Sequence, residues 1–198
     1  WSSDVCSSDL FNRVPRPDRE TVSLADYRER HACYKGDPDL QEAHRQHPFI
    51  CVWDDHETAN DSWTGGAENH TPAKEGDWLI RKAAGIQAYR EWMPVRDAAD
   101  WLMLGNSAMA GAIRGAATAG RIEPLFRSFD FGGLFSLMML DTRLFGRDEQ
   151  AHDPTGEKYT SVVNTDPTLV DPRRSLLGFD QEAWLYGEMA RSKQRGDR

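Results

Sequence analysis

Asp54, Asp55, His56 and Glu57 follow one another without a break, and no other stretch of this sequence concentrates so much chemistry. Carboxylates are hard oxygen donors that suit calcium, magnesium, manganese or ferric iron. A neighbouring imidazole can ligate a metal, contact a phosphate or deliver a proton to a leaving group. Packing these groups directly behind the apolar run Phe49-Ile50-Cys51-Val52-Trp53 is costly unless a cation or hydrogen bonds compensate. The plain alternative is an acidic turn with a capping Asp, and spacing alone does not separate the two.

Other chemistries fit less well. His56-Glu57-Thr58-Ala59-Asn60 begins like a zinc-protease helix but has Asn where the second imidazole must stand, on the same face at i+4. His44 and His47 are followed at once by Pro48, which makes them surface or helix-end histidines. Tyr27, Arg28, Arg30 and His31 lie on one helix among several charges. They form either a solvated face or a place where an Arg or Tyr meets bound phosphate. Asp141 and Arg143 read as structural, paired with each other or with neighbours. Cys33 and Cys51 have no zinc-ligand spacing and read as buried free thiols.

The elements that position these residues follow from local rules. Ser23-Leu24-Ala25-Asp26 is a capping-box start with Asp in place of Glu, opening a helix to about Tyr34 that Gly36 ends. Asp37-Pro38 supplies an N-cap and an N1 proline for a second helix to about His44, broken at His47-Pro48. The apolar run 49–53 reads as a buried strand, so the acidic block would lie just beyond a strand's carboxyl end, where α/β folds collect functional groups. Residues 60–74 form a loop. An amphipathic helix then carries Trp78, Leu79, Lys82, Ala83, Ile86, Tyr89 and Trp92 up to Pro94. The Ala/Gly-rich stretch 97–120 reads as a loose helix pair or an insertion. Residues 126–131 and 134–140 flank Gly132-Gly133 as a hairpin, 144–175 form a long polar loop, and a last helix begins near Asp180 with Trp184, Leu185 and Met189 inward.

Composition narrows the function classes. Hydrophobic residues make up 39% of the 198, enough for a core and too many for wholesale disorder. Net charge is -8 and the pI is near 5.2, which disfavours a broad basic surface for nucleic acid. An acidic protein can still handle anionic phosphate esters when bound cations reverse the local field. No apolar run approaches the length of a membrane span. Residues 1–10, Trp1 to Leu10, back-translate in frame to a string that resembles a sequencing adapter, so they and Cys6 are set aside as a non-native addition. Residues 11–198 are then expected to be a partial domain, truncated at both ends.

Several motifs occur together and in order. Asp26-Tyr27-Arg28-Glu29-Arg30 through Tyr34, Asp37-Pro38-Asp39-Leu40-Gln41, Trp53-Asp54-Asp55-His56-Glu57 with Asn60, Tyr89-Arg90-Glu91-Trp92-Met93-Pro94-Val95-Arg96, Leu140-Asp141-Thr142-Arg143, and Leu177-Gly178 with Gln181 and Trp184 resemble the landmarks of the alkaline phosphatase D (PhoD-like) family of calcineurin-like metallophosphoesterases. The resemblance runs from Ser23 to Leu185.

That resemblance implies an α/β fold, here a fragment of a four-layer α/β/β/α sandwich, and hydrolysis of phosphate mono- or diesters by a metal-activated hydroxide. It implies ferric iron and calcium as cofactors, small phosphate esters or phosphodiesters as partners, and export to the periplasm or beyond. By the same analogy Asp55 and Asp54 would be metal ligands, and His56 would contact the phosphate and assist the leaving group. Glu57, Asn60 and Arg28 would stand behind the ligands or face the phosphate. The family's upstream Cys and G-D-x-x-Y block and its downstream His block are missing, so this chain alone is expected to be inactive. A non-catalytic relic or binding module of the same fold is the other expectation.

Overall fold

Ser23 opens the first helix with both halves of a capping box. Its hydroxyl accepts from the Asp26 N–H at 3.3 Å, and Asp26 Oδ2 accepts from the Ser23 N–H at 2.9 Å. The computed structural model describes residues 14–95, 124–150 and 170–197. The expectations for residues 1–10, for 97–120 and for 151–169 of the polar loop lie outside these described residues.

Helix α1 spans Leu24–Lys35 and stops at Gly36, and α2 spans Pro38–Gln46 with Asp37 capping the Leu40 N–H at 2.9 Å. A short turn, α3, spans Pro72–Glu75 inside the stretch expected as loop. Helix α4, Trp78–Trp92, packs against α1. Strands β1, Arg127–Phe131, and β2, Phe135–Met139, form an antiparallel hairpin pairing Arg127 with Met139 and Phe131 with Phe135, around the expected glycine turn. Helix α5, Phe179–Arg195, closes against the hairpin, with Trp184 buried on Phe126 at 4.8 Å between ring centres.

Residues 49–53 are not a strand. Among the described residues the run takes no regular structure and has no ladder partner. The Arg127 guanidinium takes part of that role, donating to the carbonyls of Cys51 and Leu125. Phe49 and Ile50 are exposed, Phe49 lying under the His44 ring, and only Trp53 is fully buried. An all-apolar run reports that partners are needed, not that they are strands.

The buried stripe of α4 also departs from its apolar pattern. Arg81 and Gly85, outside the expected set, face inward with Trp78, Lys82, Ile86 and Tyr89 of that set, while its members Leu79, Ala83 and Trp92 are exposed. Lys82 can be buried because its ammonium donates to the carbonyls of Thr64 at 3.0 Å and Leu144 at 2.7 Å. On α5, Met189 is exposed rather than inward, and Cys33 on α1 is an exposed thiol rather than a buried one. The central core joins Trp53, Ile86, Tyr89, Leu125 and Leu144 directly beneath the acidic block.

Candidate active site

A single turn holds the acidic block. The Asp55 carbonyl accepts from the Thr58 and Ala59 N–H groups, both at 2.9 Å. Glu57 Oε2 turns back to accept from the Asp54 N–H at 2.6 Å. The Tyr27 hydroxyl donates to the Thr58 carbonyl at 2.6 Å from below. Arg81, itself fully buried, donates to that hydroxyl at 3.2 Å and also reaches Asn69, Glu75 and Glu20. Tyr27 is thus neither a solvated residue nor a phosphate contact; it is a strut between α1 and the turn.

Asp55 is 3% exposed, and its Oδ2 accepts from the Asp61 N–H at 2.6 Å. Asp61 holds a left-handed φ of 50°, a conformation Asp tolerates better than most residues. Asp54 is the exposed member of the pair. Burial pushes its carboxyl up, but the hydrogen bond from Asp55 and the charges of Arg143 and His56 outweigh it and hold Asp54 below the ordinary range. Burial raises Asp55, and the shared hydrogen bond raises it further. The two adjoining carboxyls therefore divide their roles, Asp54 ionised and Asp55 the readier to keep a proton. Burial likewise raises Glu57, against the backbone N–H groups it accepts from.

His56 is half-exposed, its Nε2 at 2.9 Å from Asn60 Oδ1 and 4.0 Å from Asp55 Oδ1. The Asn60 amide donates onward to Glu68 at 2.8 Å, which orients its oxygen toward the imidazole. Asp54, Asp55, His56, Glu57 and Asn60 are therefore brought together. Arg28 is not, since its guanidinium forks onto Glu91 with both bonds at 2.6 Å.

Arg143, read from sequence as structural, reaches the cluster, with nitrogens 3.3 Å from Asp54, 3.6 Å from Asp55 and 3.3 Å from Asp61. Gln150 donates to the Asp61 carbonyl at 3.1 Å. The usable signals were Arg143's place just beyond the end of β2 and the turn-forming pair Asn60-Asp61. Asp141 is structural as read. It is fully buried, and its Oδ1 accepts from the Arg143, Leu144 and Phe145 N–H groups, at 3.1, 2.8 and 3.3 Å.

Chemically, the cluster offers adjoining hard oxygen donors, an imidazole held by an amide, and a nearby guanidinium. The family profile of PhoD-like phosphatases matches residues 3–196. Alkaline phosphatase D of Bacillus subtilis (strain 168) is 36% identical over 176 residues, covering 87% of this chain and 25% of that protein. A solved structure of PhoD aligns with a TM-score of 0.63 at 34% identity, over 85% of this chain and 27% of that one. This chain spans about a quarter of the length of the relatives it matches. Its helices and antiparallel hairpin agree with an α/β class.

Proposed function

Because this chain belongs to the PhoD-like phosphatase family, we propose that it is a segment of a metal-dependent phosphoesterase that hydrolyses phosphate mono- or diesters. Asp55 and Asp54 are its metal ligands and His56 its proton donor. The observation that carries the reading is geometric: Asp54 and Asp55 adjoin, Asp55 is buried with one oxygen fixed by the Asp61 N–H, and the His56 imidazole beside them is held by Asn60. Adjoining hard oxygen donors, one of them buried, suit a hard cation, so the donor chemistry fits a metal. Among the described residues no group of three or more His, Cys, Asp or Glu is gathered to hold an ion, so this segment contributes part of a shell. Ferric iron and calcium are the ions the family resemblance implies.

Cations held in part by Asp54 and Asp55 would supply charge stabilisation at the phosphoryl oxygens and acidify water there. The chain's own residues do the rest. The Asp61 N–H fixes one Asp55 oxygen, and the Glu57 carboxylate fixes the backbone at Asp54. Asn60 holds the half-exposed imidazole so that it can pass a proton to the leaving oxygen. The surrounding fold in this reading is the four-layer α/β/β/α sandwich, and the protein is exported.

The test uses the full-length protein that contains this segment. Asp55→Ala lowers both metal content and turnover, the latter by at least about 100-fold, whereas His56→Ala keeps the metal and loses about 100- to 10,000-fold in kcat. Normal metal content together with normal turnover in Asp55→Ala would sink the assignment.

A further inference from the structure

We infer that Arg143 is a positioning residue, the internal counter-ion of the acidic cluster, standing where a bound cation displaces it. The inference rests on the proposed reading of Asp54 and Asp55 as ligands.

Bond lengths are the first argument. The arginines paired elsewhere among the described residues each keep at least one short contact, as Arg28 does on Glu91 at 2.6 Å and Arg81 on Glu20 at 2.6 Å, even where Arg81 also reaches Glu75 at 3.0 Å. Arg143 instead spreads over carboxylates at 3.3, 3.3 and 3.6 Å, beyond the ~2.7–2.9 Å of a charge-assisted bond. One planar fork cannot satisfy carboxylates from several directions, whereas a small cation can.

The second argument is what surrounds it. The Arg143 N–H donates to Asp141 Oδ1, which anchors the backbone independently of the side chain, whose one hydrogen bond to the cluster is to Asp61 at 3.3 Å. Arg147 stands nearby, its guanidinium lowered first by burial and then by the charge of Arg143. That like charge opposes Arg143 once another cation satisfies the carboxylates. On the far side, Asp61 is held by Gln150 and by its own N–H on Asp55, so its carboxylate keeps its aim when the guanidinium leaves.

Terbium(III), a hard oxygen-seeking probe sensitised by tryptophan, tests this on the metal-stripped full-length protein that contains this segment, where Trp53 precedes Asp54 directly. Arg143→Gln binds terbium about tenfold more tightly than the unsubstituted chain, because one competing charge is gone. Arg143→Lys, which keeps that charge, stays near the unsubstituted affinity. A residue that merely held the fold would weaken binding when replaced. Equal or weaker binding in Arg143→Gln, or binding in neither chain, overturns the inference; binding in Arg143→Gln alone supports it. If Arg143→Gln does not fold, Arg143→Met keeps the stem and takes its place. If neither variant folds, the role is structural and the inference is overturned. Asp55→Asn separates the premise from the inference. Undiminished terbium binding in that variant removes the ligand assignment, and Arg143→Gln still decides the counter-ion role.

Discussion

Gly85 sets how closely α4 approaches the turn that carries Asp55 and His56. A Cβ at this position would lie 2.9 Å from the Glu57 carbonyl oxygen and 2.9 Å from Thr58 Cγ2. Alanine gains about 1 kcal/mol of helix propensity over glycine, but forcing a buried backbone contact apart costs about 1–3 kcal/mol. Gly85→Ala therefore destabilises the chain on balance in a urea titration; a neutral or stabilising result would show that the turn yields freely. Asp54 to Glu57 were legible at this scale because their convergence is already present in the linear order. Asp61 and Arg143 were not, because their meeting depends on the end of β2 being folded back over the turn. Arg28 carried an informative pattern, yet Glu91 on α4, 63 positions away, claims it.

The helices were the most legible elements, since caps and proline breaks act within a few residues of where they are written. Ser23→Ala removes the hydroxyl from a capping box that Asp26 completes, and costs about 1 kcal/mol in thermal or urea unfolding. A loss under a few tenths would mean the Arg19 contact to Asp26 holds the helix start by itself. The hairpin was legible from alternation around its glycines. Less legible were the run 49–53, whose partners are side chains, and the inner stripe of α4. There Arg81 is buried off the periodic face and Lys82 is buried on it, both as cations. Burying a cation needs acceptors from several other segments, which a local pattern does not contain.

At the scale of the whole molecule, one of those cations ties stability to pH. Burial lowers Lys82 to about 8, although the charge of Asp141 pulls upward. The ordinary lysine value is 10.5, so between about pH 8 and 10.5 the unfolded chain holds a proton that the folded chain has released. The unfolded state then binds more protons, and this group's contribution to stability rises with pH across that window, by at most about 3 kcal/mol. Below it both states are charged and the folded state carries the full cost of burial. Comparing the pH dependence of unfolding with that of Lys82→Met isolates the slope. Identical profiles from pH 8 to 10.5 would mean the ammonium is as well solvated by the Thr64 and Leu144 carbonyls as by water.

The loop that delivers Arg143 meets the start of α5 backbone to backbone. Gly146 and Gly178 adopt φ of 81° and 76°, and a Cβ on Gly146 would come within 2.7 Å of the Gly178 Cα. Gln181 fastens the same junction by exchanging two 2.8 Å hydrogen bonds with the Asp141 peptide groups. For anyone choosing where to split, shorten or circularly permute this protein, residues 141–150 and the first turn of α5 form a single cassette. A cut before Leu177 would keep every residue of the acidic cluster and remove the floor on which Arg143 stands.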